Sequence, residues 1–149
     1  MTQEERKAIM YAQGRANALA LQEKASSMNG TELNAVDEDI PSFVSAKTNK
    51  NMLGRTAGFI CRSSAGRVVK LLQVYNSDTY PQEPEELPAQ WGFVWSTDPA
   101  KALPFIKLST SPYSKGDCCS KDGIVYRSLI DANVWEPGEL SMAWEKVME

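Results

Sequence analysis

The chain contains no histidine, three cysteines and 19 acidic side chains, and these counts bound the chemistry open to it. Without an imidazole there is no Ser-His-Asp or Cys-His nucleophile pair and no histidine-bearing zinc site. Cys61, Cys118 and Cys119 are odd in number, and two of them are adjacent, so they make no disulfide framework. All three read as free thiols, at least one of them a buried small hydrophobe. Glu83, Glu85, Glu86 and Asp98 fall in loop-like sequence. Two acids facing each other across a cleft hydrolyse glycosides, but this Pro-rich context reads as a solvated rim. Asp37, Glu38 and Asp39 read as a solvated loop rather than a cation site. Gly14 and Gly30 form no phosphate cradle, and Walker, dinucleotide, EF-hand and Cys-x-x-Cys patterns are absent. The expectation is a non-enzymatic protein with no metal and no cofactor.

Aromatic residues offer the remaining chemistry. Trp135, Tyr75 and Tyr80 lie in or beside loops, where a ring can stack on a sugar or cover a partner surface. Trp91 and Trp144 read as core anchors, and Trp95 as packing for the segment that follows it.

Charge and hydropathy narrow the partners. The net charge of -3 leaves no electrostatic footprint for nucleic acid or an anionic membrane. No apolar run approaches the roughly 20 residues that span a bilayer. The first residues are charged and periodic, without the three regions of a secretory signal, which points to folding in a cytoplasm. With 42% hydrophobic residues the chain can bury a core.

The elements that position these residues suggest an α+β chain: an N-terminal helix followed by two small three-stranded antiparallel β modules. Residues 1–30 read as the helix. Thr2 and Glu5 fit a capping box. Ile9, Ala12, Ala16 and Leu19 recur at helical steps, and Asn29-Gly30 supplies a stop. The stripe is narrow, so the helix either docks on its own β part or forms an oligomerising stem. Residues 31–53 read as a connector, 54–95 as the first module, 96–110 as a linker and 111–149 as the second module. In each module a hairpin turn contains a glycine, Gly66 or the Asp122-Gly123 pair.

The two modules match as an internal repeat. Cys61 aligns with Cys118, Gly66 with Gly123, Val68 with Val125, Lys70 with Arg127 and Leu72 with Leu129. Glu83-Pro84 then aligns with Glu136-Pro137 and Trp91 with Trp144, once the first loop is allowed about four extra residues. A three-stranded unit of about 40 residues buries too little alone. One tryptophan per copy, and packing of the copies on each other or on the helix, would offset that.

In the second copy, Tyr113, Gly116, Asp117, Gly123, Tyr126, Pro137, Gly138 and Trp144 fall in an order that resembles the family 5/12 carbohydrate-binding modules, the small chitin-binding modules of bacterial chitinases. The order is Tyr-x-x-Gly-Asp, a hairpin with Gly-x-x-Tyr, a Pro-Gly loop and a closing tryptophan. Ile40-Pro41-Ser42-Phe43, and Leu71-Leu72-Gln73 followed by Pro84 and Trp91, are similar to a variant found in small tailed-phage and prophage proteins. The resemblance covers roughly residues 40–147. It implies structural roles for Gly116, Gly123, Tyr126, Pro137, Trp91 and Trp144, and a virion protein of the tail, baseplate, fibre or capsid surface, assembled in the bacterial host cytoplasm. Its implied partners are other virion proteins, further copies of itself in a homo-oligomer, and a cell-surface glycan. The sequence departs from the family where its sugar platform lies: Ser128 to Ala132 carry no aromatic residue, and Trp135 is the nearest one. The alternative reading is a carbohydrate-binding module accessory to a polysaccharide hydrolase.

Overall fold

The computed structural model describes residues 2–49 and 51–148, and the side chains of residues 10–18, 48, 49 and 148 fall outside the description. Helix α1 spans Gln3–Lys24. Its capping box forms as the sequence suggests: the Glu5 N–H donates to the Thr2 hydroxyl at 3.1 Å, and the Thr2 N–H to the Glu5 carboxylate at 3.1 Å. The two described residues of the apolar stripe are exposed. Ile9 is 54% and Leu19 67% exposed; Ala12 and Ala16 lie outside the described side chains. Among the described side chains, the contacts with the body lie at the C-terminal end, through Leu21 and, in the 3₁₀ turn that follows, Ala25.

Asn29-Gly30 is not a stop. Asn29 caps a second helix, α2 (Gly30–Ala35), and its side chain accepts from the Glu32 N–H at 2.8 Å. Asparagine suits both kinds of helix end, and tertiary packing selected the N-cap. Gly30 sits against the backbone of Trp95: a Cβ there would meet the Trp95 carbonyl oxygen at 2.1 Å. The expected connector is also structured. It contains α2, a 3₁₀ turn at Asp37–Asp39, helix α3 (Phe43–Asn49) and a 3₁₀ turn at Met52–Gly54. Leu33, Ile40, Phe43, Ala46 and Met52 from this stretch are buried.

The first sheet has the order β1 (Ile60–Arg62), β2 (Val68–Leu71), β3 (Trp91–Phe93), all antiparallel. The second is four-stranded and mixed: β4 (Leu103–Pro104), β5 (Cys118–Lys121), β6 (Ile124–Ser128), β7 (Trp144–Met148). Its three antiparallel strands match the expectation. The added strand β4 runs parallel to β5 and comes from the segment expected to be a linker.

Several backbone features recur in both sheets. The Gly58 N–H donates to the Leu71 carbonyl at 2.8 Å, and the Gly116 N–H to that of Ser128 at 2.9 Å. Both glycines hold positive φ, +96° and +98°. Leu71 pairs with Trp91, and Ser128 with Trp144. The correspondence reaches upstream as well. Ser42 bridges Arg62 in parallel, as Pro104 pairs with Ser120. Phe43 meets Trp91 edge-on at 6.0 Å, and Phe105 meets Trp144 edge-on at 6.1 Å. One alignment changes. Cys61 faces Val69, and the residue in that place in the second sheet is Cys119, opposite Tyr126, rather than Cys118. The cause is the turn: Arg62 pairs with Val68, whereas Lys121 pairs with Ile124 across the two-residue Asp122-Gly123 loop. That loop holds φ of 53° and 80°, as a tight hairpin requires.

One core joins the two sheets. Phe93 stacks on Trp95 at 5.9 Å, Trp95 on Tyr113 at 4.3 Å, and Tyr113 on Phe105 at 5.6 Å, with Trp144 edge-on at the end of the row. Alternation along the strands sends Cys61, Val69, Leu71, Trp91 and Phe93 into this core. Ile60 and Val68 point the other way, onto Ala25, Leu33 and Ile40. Arg67 fastens the join: its guanidinium donates to the Pro104 carbonyl at 2.7 Å and pairs with Glu85 at 3.3 Å.

Candidate functional site

The loop between β6 and β7 is held by Asn133. Its side-chain amide donates to the Ser128 hydroxyl and the Ala143 carbonyl, both at 2.9 Å, and its carbonyl oxygen accepts the Trp135 N–H at 3.1 Å. Asn133 is fully buried, and its backbone exchanges two hydrogen bonds with Tyr113. The Trp144 indole N–H donates to the Trp135 carbonyl at 2.6 Å. Trp135 therefore has a fixed backbone, while its ring remains 43% exposed. Beside it, Lys121 donates to the Pro137 carbonyl at 3.1 Å and pairs with Glu136 at 3.0 Å, an ion pair that raises the lysine pKa. An exposed indole on a fixed backbone, beside charged donors and acceptors, can stack on a sugar face and hydrogen-bond its rim.

The other two aromatic candidates separate. Tyr75 is 6% exposed, and its hydroxyl accepts from the Trp91 indole N–H at 3.0 Å. Its ring lies inside the core, so it offers no platform. Tyr80 is 49% exposed, in the corresponding loop of the first module. No ring contact joins it to Trp135 among the described residues. Trp91 and Trp144 are buried, and Tyr126 packs against the same core. Gly116 and Gly123 hold positive φ, and Pro137 is buried.

No family model, curated protein or solved structure matches the chain.

Three of the four loop acids have local structural partners, while Glu86 and Asp98 are exposed. Glu83 accepts from the Ser64 N–H and hydroxyl at 3.0 Å each, tying the first hairpin turn to the loop. Glu85 pairs with Arg67, and Asp98 caps the 3₁₀ turn at Pro99–Lys101. Asp37 pairs with Lys101 at 3.2 Å. Among the described residues no cluster of three His, Cys, Asp or Glu is placed to hold a metal. Cys61, Cys118 and Cys119 are free and buried, and desolvation raises each thiol's pKa, that of Cys119 to about 12. Neutral, enclosed thiols are poor nucleophiles at physiological pH. No helix among the described residues is long and apolar enough to cross a membrane.

Gln22 has a role that helical periodicity does not reveal. Its side-chain amide donates to the Ile60 carbonyl at 2.7 Å and accepts the Ile60 N–H at 2.9 Å. It thus serves as a strand neighbour for the edge of β1, and exposed strand edges invite unwanted pairing. In the second sheet the corresponding Cys118 N–H donates to a main-chain carbonyl, that of Ser96, at 2.8 Å. Beside Gln22 a cleft of 340 Å³ opens between α1 and the first sheet, lined by Ser26, Thr56, Gly58, Phe59 and Lys70.

Proposed function

We propose that the protein is a non-enzymatic structural subunit of a tailed-phage particle, at the tail, baseplate, fibre or capsid surface. In this reading it is two tandem copies of one carbohydrate-binding-like unit, fused over a common core. The shared hydrogen-bond framework and the paired Phe-on-Trp contacts support duplication of a single ancestral unit. The observation that carries the assembly role is the projection of α1. The helix has 22 residues, about 33 Å at the usual rise, and among its described side chains those packed on the body lie at its C-terminal end. Helices in proteins draw most of their stability from packing an apolar face, and Ile9 and Leu19 are exposed here. The helix becomes stable against a further subunit, and closed symmetric assemblies are the usual result.

Mass spectrometry of purified particles tests membership of the virion, and absence of the chain from them ends this reading. Sedimentation of the full chain against a form lacking residues 1–18 tests the helix. The full chain is expected to sediment as an oligomer and the shortened form as a monomer.

The exposed Trp135 ring on its hydrogen-bonded backbone favours a second reading, a glycan-binding accessory to a polysaccharide hydrolase. It requires retention on an insoluble glycan that Trp135→Ala abolishes. Equal retention of both proteins, or none across a broad glycan panel, removes it.

A further inference from the structure

The two sheets correspond position by position, so the places where they differ are informative. Arg127 on β6 lies opposite Glu145 on β7 and pairs with it at 3.8 Å. Lys70 occupies the same position on β2, but the residue opposite is Gly92. The cation is retained and its carboxylate is missing. Among the described residues no salt bridge reaches Lys70. A second difference lies beside it. A Cβ on Gly116 would meet the Thr97 methyl at 3.5 Å, whereas one on Gly58 would meet nothing within 4 Å. The chain fills this space in the second module and leaves it open in the first, where it forms the 340 Å³ cleft.

The cleft's lining has one chemical character. Lys70 supplies a charge that no described carboxylate pairs with, Ser26 and Thr56 supply hydroxyls, and Phe59 supplies a ring; no carboxylate is among the described lining residues. The Arg55 guanidinium sits over the Phe59 ring, 4.5 Å from its centroid, and adds positive charge behind that wall. A volume near 300 Å³ is at the small end of ligand pockets. The geometry points to a binding site for a carboxylate-bearing monosaccharide unit, such as a uronate residue of an acidic glycan. Its carboxylate pairs with Lys70 from the cleft side, and its hydroxyls meet Ser26 and Thr56. This inference rests on the glycan-binding reading of the modules, but neither on virion membership nor on Trp135.

Backbone amide shifts are followed while the full chain is titrated separately with glucuronate, glucose and acetate. Glucuronate is expected to give saturable shifts at Gly58, Phe59 and Lys70. Glucose and acetate are expected to bind at least roughly tenfold more weakly, because each lacks half of the recognised chemistry. Lys70→Gln should weaken glucuronate binding by roughly tenfold or more. Ser26→Ala should weaken it severalfold, and the spectra themselves show that each variant is folded. Trp135→Ala should leave it unchanged. The proposal is overturned if glucuronate causes no saturable shift near Gly58. It also fails if acetate binds equally well, or if binding survives Lys70→Gln and disappears in Trp135→Ala. That last result would place glycan recognition at Trp135 and leave the broader reading intact.

Discussion

The hydroxyl of Tyr75 accepts the indole N–H of Trp91 at 3.0 Å, inside the core of the first module. Burial raises the phenol's pKa, so the group stays neutral. Tyr75→Phe removes that acceptor and keeps the ring. The expected cost is about 1–3 kcal/mol, the desolvation of one buried donor, measured by urea denaturation. Sugar binding, if present, should not change. A selective loss of glycan binding at unchanged stability would contradict the placement of Tyr75 in the core.

Gly30→Ala is expected to be among the most damaging single-methyl additions in the chain. The added carbon meets main-chain atoms of Trp95, which cannot rotate away as a flexible side chain would. Overpacking typically costs about 1–3 kcal/mol, and a backbone clash belongs at the upper end. Thermal unfolding of Gly30→Ala beside Ala35→Gly, an exposed site in the same helix, separates the clash from helix propensity. An equal loss in both would sink the argument.

Arg67 and Glu85 form an ion pair at 3.3 Å that is mostly enclosed, and Arg67 also reaches the Pro104 carbonyl in the segment leading to the second sheet. Breaking a buried pair by removing one partner leaves a bare charge and typically costs about 3–5 kcal/mol. Glu85→Gln is therefore expected to destabilise the protein markedly. Exchanging the pair for Met and Leu together should cost less than the single change. Denaturation of the three proteins checks both statements.

Gln22→Ala should release the end of α1 and uncover the edge of β1. Amide exchange at Ile60 is expected to accelerate while exchange at Cys118 stays slow, because that amide bonds to main chain instead. Hydrogen exchange read residue by residue decides the matter, and unchanged protection at Ile60 would remove the edge-cap role.

Burial raises the Cys119 thiol from an ordinary 9.0 to about 12. A raised acid binds more protons in the folded state than in the unfolded one above its unfolded pKa. Its contribution to stability is thus fully present below pH 9 and is lost as pH rises toward 12. Cys61 shifts in the same direction for the same reason. Replacing both by Ala should flatten the alkaline fall in stability. Thiol-reagent titration of the native chain near pH 8 should proceed slowly and complete only on unfolding.

Several features were legible in the sequence because local chemistry determines them. Thr2 and Glu5 announce a helix start through hydrogen bonds they make to each other's backbone. Asp122-Gly123 announces a tight hairpin because few residues tolerate positive φ. The glycine and tryptophan spacing placed the three antiparallel strands of each module. The aromatic alternatives were not separable in the same way. Tyr75, Tyr80 and Trp135 all sit in turn-rich sequence, and ring type says nothing about which way a loop folds.

What the sequence determined by itself was the set of short-range elements, the absence of any imidazole chemistry, and the two hairpins with their closing tryptophans. Only the tertiary structure decided that the segment 31–53 is a helical layer of the core, that residues 103–105 add a strand and a phenylalanine to the second module, and that Tyr75 is interior while Trp135 faces outward. Those outcomes depend on contacts between residues far apart in the chain, such as Gly30 with Trp95 and Arg67 with Pro104. Propensity and periodicity act over a few residues. The burial of a ring is settled by whatever distant surface comes to cover it.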